Sequence, residues 1–261
     1  MSWWEGLVGF GAGLVIAVVT SPVGVSGAVF LLPVQLSVLN VPSPAVTPTN
    51  LLFNVVAGPG ALLRYRARGA LGGSLTRLLV LGTLPGVVIG ALIRVFVFPD
   101  PQVFRLLVAF LLLPLGLWLC VRTVRPPPHR REPDGLSPRV ISLVAVAVGI
   151  VGGMYGIGGG SLLGPILAGR GLPVATVAPA ALASTFITSI AGALTYTVLA
   201  LTTPGDIAPE WTLGLLCGLG GLIGGYLGAH LQPRLPDAGL RLLLGTLAIA
   251  LAVLYAIQAK T

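Results

Sequence analysis

The chain has 261 residues, 55% of them hydrophobic, with 15 Lys+Arg against 7 Asp+Glu and a formal net charge of +8. Charged residues make up 8%, against about 25% in soluble domains, too few to cover a soluble globule. The apolar content excludes a disordered chain, and the 37 glycines keep no three-residue period, which excludes collagen.

A membrane protein remains. The N-terminal MSWWEGLVGF has no basic stretch and no small-residue cleavage site, so no removable signal peptide is expected. A first apolar segment runs over about 6–20 and ends at Ser21-Pro22-Val23-Gly24-Val25-Ser26-Gly27, a run that breaks a helix. The next apolar stretch, 28–39, is twelve residues long. It rises only about 18 Å, little more than half of a hydrocarbon core about 30 Å thick. Segments 45–63, 74–98 and 102–121 follow, each long enough to cross. Thr47, Asn50 and Asn54 in the first of these lie at i, i+3 and i+7, on a face that continues to Gly58 and Ala61. Arg94 lies near the end of the second; it snorkels to the interface or lines the outer part of an anion path.

The stretch 122–138 is basic, polar and proline-rich, unsuited to a bilayer or a helix. It separates a first transmembrane repeat, 1–121, from a second, 139–261. The second has apolar segments at 139–155, 161–169, 174–200, 211–231 and 239–258. Again a short segment follows a break, here 152–160 with Gly158, Gly159 and Gly160. Ser184, Thr188 and Thr195, joined by Thr185 and Ser189, form a second polar stripe. Cys120 and Cys217 sit in apolar runs and read as buried hydrophobes. Trp3, Trp4, Trp118 and Trp211 sit near segment ends and read as interface anchors.

The halves correspond residue by residue. Gly24, Gly27 and Pro33 match Gly156, Gly159 and Pro165 at an offset of 132; Pro42, Pro48 and Tyr65 match Pro173, Pro179 and Tyr196 at 131; Arg105 matches Arg241. An internal duplication follows. Equivalent connections differ in sign. Arg64, Arg66, Arg68 and Arg77 follow the third segment of the first half without an acid, whereas the stretch 202–210 in the second carries acids and no base. Lys/Arg-rich loops stay cytoplasmic, so the expected fold is an all-α integral membrane protein of two inverted-topology repeats. Each has a Gly-broken short helical hairpin and three full transmembrane helices. The linker is then cytoplasmic and both termini lie outside.

All seven acids fall at termini or connections, and the histidines are His129 in the linker and His230 at a helix end. No catalytic set, metal cluster or cofactor site can be assembled from them, and an enzyme is not expected. Bases at the ends of apolar runs, with no aromatics interleaved, speak against nucleic acid. Without Asp or Glu at depth a cation site is also disfavoured. The two breaks instead present helix N-termini, where backbone N–H groups and the helix dipole favour an anion. Ser26 and Gly27 in one half, and Gly158, Gly159, Gly160 and Ser161 in the other, are the candidate ligands. Asn50, Asn54, Ser184, Thr185 and Thr188 add donors, and Arg94 an outer cation. Tight helix packing by the glycines and interhelical bonding by the polar stripes are the competing readings.

Gly156-Ile157-Gly158-Gly159-Gly160-Ser161-Leu162-Leu163-Gly164-Pro165, then Gly171-Leu172-Pro173, then the stretch from Ala183 to Tyr196, resemble the second-half signature of the TauE/SafE sulfite-exporter family. The first half resembles its degenerate copy, with Val25-Ser26-Gly27-Ala28 in place of a richer glycine run. The resemblance implies a bacterial inner-membrane permease for a small sulfur oxyanion or organosulfonate such as sulfite or sulfoacetate. The expected partners are that anion and the bilayer; a homo-oligomer stays open. The expected mechanism is alternating access, with an anion channel of the same fold and a non-transporting scaffold as alternatives.

Overall fold

The computed structural model describes residues 3–97, 101–125, 138–170, 172–205 and 207–258. Most of the basic linker, with His129, Glu132 and Asp134, lies outside them, as do Asp100, Asp206 and Lys260. All regular structure among the described residues is helical: α1 Trp3–Thr20, α2 Ala28–Ser37, α3 Ser43–Ala67, α4 Ser74–Phe96, α5 Pro101–Val124, α6 Pro138–Tyr155, α7 Leu163–Gly169, α8 Val174–Thr202, α9 Trp211–Leu231 and α10 Asp237–Gln258. Among the described residues, six helical stretches are long and apolar enough to cross a membrane: Trp3–Val23, Ala45–Ala67, Ser74–Phe96, Val174–Thr202, Trp211–Arg234 and Ala238–Ile257. The two expected short segments are the short helices α2 and α7.

Prolines set several boundaries. Pro42 and Pro173 precede α3 and α8 in extended conformation, where a missing N–H costs nothing. One boundary moves. The linker was expected from residue 122, but α5 runs to Val124. The Arg122 guanidinium donates to the carbonyl of Gly169, one of the carbonyls that the end of α7 leaves without a helical partner. It also stacks over the Trp118 ring at 5.2 Å, and a Cβ on Gly169 would strike that ring. Trp118 therefore packs against α7 as well as standing near a helix end.

Each break begins its turn at a left-handed glycine, and the second has another at Gly158, φ +74°. Gly24 has φ +77° and Gly156 φ +69°, a left-handed conformation that costs other residues energy. The N–H of the next residue then folds back in both halves, Val25 to the Thr20 carbonyl and Ile157 to that of Gly152.

Helix α1 packs on α9, and α4 on α6; α3 packs on both α8 and α9, α4 also on α8, and α5 on α10. Exchanging α1 with α6, α3 with α8, α4 with α9 and α5 with α10 returns this same set of pairs. The register follows the same exchange. A Cβ on Gly86 would lie 2.3 Å from the Val146 carbonyl oxygen and one on Gly90 2.1 Å from that of Ile150. Likewise a Cβ on Gly220 would lie 2.0 Å from the Phe10 oxygen and one on Gly224 2.1 Å from that of Leu14. Glycines four apart put one helix backbone directly on the next, the close packing that membranes favour where apolar burial gains little.

Candidate functional site

The first break leads into the only N-terminus of a described half-length helix with more than two turns, that of α2. The Ser26 hydroxyl accepts from the Ala28 N–H at 3.0 Å and donates to Asn54 Oδ1 on α3. The Asn54 amide nitrogen donates to the Gly156 carbonyl at 3.3 Å. That bond fixes the amide orientation, because the opposite flip would set two oxygens against each other. One serine therefore caps α2 and joins it to α3, and one asparagine joins α3 to the second break.

These groups line a cavity of ≈ 30 Å³, enough for a water or two. Ser21, Ser26, Gly27 and Asn54 come from the first half and Thr185 from the second. The rest of the wall is apolar, formed chiefly by Phe53, Ala57, Leu182 and Phe186. The side chains of Ser26, Asn54 and Thr185 are 4%, 3% and 3% exposed, so a bound group would be removed from bulk water.

The second break is arranged differently. Its glycines are filled against protein. A Cβ on Gly160 would lie 1.9 Å from the Ala181 carbonyl oxygen, one on Gly159 2.4 Å from Thr83 Cβ, and one on Gly158, at φ +74°, 2.6 Å from Thr185 Cγ2. The hydroxyls are occupied as well. The Gly159 N–H donates to Thr188 Oγ1 at 3.0 Å, and Thr188 donates to the Ser184 carbonyl at 2.7 Å. Thr83 donates to the Leu79 carbonyl at 2.7 Å, so the 2.8 Å contact between Thr83 and Ser184 runs from the Ser184 hydroxyl. Ser161 donates to the Ile157 carbonyl at 2.5 Å, so Thr185 is the donor in their 3.2 Å bond.

Asn50 and Arg94 stand apart from the cavity. Asn50 is fully buried with both amide atoms unpartnered, and its Cβ lies 3.0 Å from where a Cβ on Gly156 would be. Arg94 is 3% exposed, so it does not snorkel to an interface. At the end of α6 the carbonyls are occupied by α3 and α8: Thr47 donates to Met154 at 3.3 Å and Tyr196 to Gly153 at 3.0 Å. His230 ends α9, where Arg68 donates to the carbonyls of Ala229 and His230.

Of the residues singled out in the sequence, the structure brings Ser26, Gly27, Asn54 and Thr185 to one cavity. Gly158, Gly159, Gly160, Ser161, Ser184 and Thr188 form the adjoining packed layer. Sequence reasoning passed over Phe53, Phe186 and Thr83. The phenylalanines carry no polar signal; Thr83 stands alone among apolar residues, although it lies one position after Gly82 in a four-residue glycine series.

The family model described as Sulfite exporter TauE/SafE matches residues 9–255. No curated protein and no solved structure matches the chain.

Proposed function

The chain belongs to the TauE/SafE sulfite-exporter family, and from that premise we propose that it exports a small sulfur oxyanion or organosulfonate, such as sulfite or sulfoacetate, by alternating access. Membership makes it a multi-pass membrane transport protein of a sulfur-anion family. The observation that carries the finer reading is the convergence of Ser26, Asn54 and Thr185, from both halves, on one buried cavity beside the start of α2. The second amide hydrogen of Asn54 and the positive end of the α2 dipole attract an anion without trapping it. A scaffold has no need of such a cavity. The site is assigned to Ser26, Gly27, Asn54 and Thr185.

Inverted repeats supply the movement in this proposal. Their support is the exchange of helix pairs, and the matched phenol bonds of Tyr65 to the Ser21 carbonyl and Tyr196 to the Gly153 carbonyl, each 3.0 Å. The arginines after α3 and at the end of α5 put those ends in the cytoplasm of a bacterial inner membrane, with both termini outside. Purified protein in liposomes tests the function: internal sulfite or sulfoacetate accelerates uptake of the labelled anion, and Asn54→Leu abolishes the exchange. Flux without acceleration by internal anion identifies a channel; no flux of any sulfur anion removes the reading.

A further inference from the structure

We infer that the groove where α3 and α9 end binds the phosphate headgroup of an anionic phospholipid. The two helices run parallel there. A Cβ on Gly60 would lie 1.9 Å from the Leu222 carbonyl oxygen, and Arg68 donates to the carbonyls of Ala229 and His230 at 2.8 and 3.0 Å. Gly60, Arg64 and Arg68 stand one turn apart on a shared face, which sets Arg64 level with Tyr226. Arg64 is half-buried, and its Nε has no hydrogen-bond partner among the described residues. Arg234 follows in the turn that leaves α9, where Gln232 ties the chain down by donating to the Pro22 carbonyl at 2.7 Å.

The charges there favour an anion. The C-terminal ends of α3 and α9 bring about half a negative charge each, against three arginines. Neither 60–77 nor 211–236 contains an acid. Two carbonyls at the end of α9 already accept from Arg68, which fixes that guanidinium and leaves the remaining N–H groups of its fork to donate. Topology alone is served by bases in a loop. Arg64 instead stands within α3, on the face that meets α9.

The surroundings of these cations point to a lipid and not to free phosphate. Their sequence neighbours Leu63, Leu227 and Leu231 are exposed, on helices long and apolar enough to cross a membrane, where acyl chains would cover them. Tyr226 is exposed at the level of Arg64, and an amphipathic phenol suits the headgroup layer. The groove between α8 and α4 is the contrast. Under the duplication, Thr195 and Leu199 stand there for Arg64 and Arg68. Val88 and Leu92 stand for Tyr226 and His230, in the register that pairs Gly82, Gly86 and Gly90 with Gly220, Gly224 and Gly228. That groove carries no charge at these positions, so the headgroup site is built at one end only.

Native mass spectrometry of the full chain in detergent, titrated with phosphatidylglycerol or phosphatidylcholine, tests this. Phosphatidylglycerol is expected to bind at least about tenfold more tightly, from Arg64 and Arg68 together. Arg64→Gln is expected to weaken it about fivefold, the effect of one base near a membrane surface, and Arg64→Lys to recover part of that loss. Arg77→Gln removes a base at the same end that lies on α4, outside the groove, and is expected to change nothing. Equal binding of the two lipids overturns the site, and the wild-type comparison decides this even if Arg64→Gln does not fold. A loss for Arg77→Gln as large as that for Arg64→Gln also overturns it, leaving a diffuse positive surface. Displacement of the lipid by glycerol phosphate at an equal concentration overturns the lipid assignment in favour of a soluble phosphate.

Discussion

The two breaks share their first turn and part after it, for Gly158 is left-handed, at φ +74°, where its counterpart Ser26 is not. Both reverse at a left-handed glycine, Gly24 or Gly156, and both fold the next N–H back onto the preceding helix. The first then presents Ser26 and, across from it, Asn54 to a cavity. In the second, three glycines press on α8 and α4; hydroxyl protons are committed in both halves, Ser26 to Asn54 Oδ1 and Thr188 and Ser184 to neighbouring groups. A richer glycine run thus marks tighter packing here, and the poorer run marks the open side. Under the proposed duplication, the pairs Phe53/Ser184 and Ala57/Thr188 are positions where the two halves differ in chemistry.

The sharpest way to break this contrast is a single methyl group. Gly160→Ala sets a carbon where the Ala181 carbonyl already stands at 1.9 Å. Backbone has to move, and a loss of about 3 kcal/mol is expected, read as a large fall in the melting temperature of detergent-solubilised protein. Gly27→Ala meets the Phe53 ring at 3.1 Å, at a φ of −58° that alanine accepts. It should fold with a small loss and slow transport. If both variants melt alike, the first break is packing too.

Next in size is Asn54→Leu, which leaves the Gly156 carbonyl and the Ser26 hydroxyl without their partner. Burying such groups unpaired costs about 1–3 kcal/mol. Transport should fall further than stability does, by at least about tenfold at a temperature where the variant remains folded. Thr188→Val, the comparable loss in the second half, removes the acceptor of the Gly159 N–H. About 1 kcal/mol is expected, with transport per folded molecule nearly unchanged. Equal transport defects in the two variants would place cargo in both halves.

Much of the fold could be read from patterns that lipid enforces. Apolar lengths bounded every helix to within a few residues, since a bilayer leaves little choice of span, and the short segments 28–39 and 161–169 marked α2 and α7. Which helix lies on which was harder. The spacing of Gly82, Gly86 and Gly90, and of Gly220, Gly224 and Gly228, held that information, but a four-residue glycine row names a packing face without naming its partner. The proposed site was half legible. Ser26, Asn54 and Thr185 stand out because polar residues are rare in such a chain. Phe53 and Phe186 do not, because a phenylalanine lining a cavity and one facing lipid look alike in sequence. Arg94 misled for a related reason: its place near a helix end suggested an interface, while in the fold it is 3% exposed.

The smallest expected effect tests the symmetry underneath the contrast. Tyr65→Phe and Tyr196→Phe each delete one hydroxyl that donates to a carbonyl of the preceding break, at the same 3.0 Å. Both rings are buried to about the same degree, each 1% exposed. Interhelical bonds of this kind are worth about 0.6 kcal/mol in membranes. The two variants should therefore lose about the same small stability in a chemical-denaturation series, and the double variant the sum, because the bonds lie in separate halves and share no partner. A loss for one several times that of the other would mean that the repeats no longer carry equal loads where the helix ends. The divergence seen at Phe53 and Ser184 would then extend from the cavity into the frame that holds it.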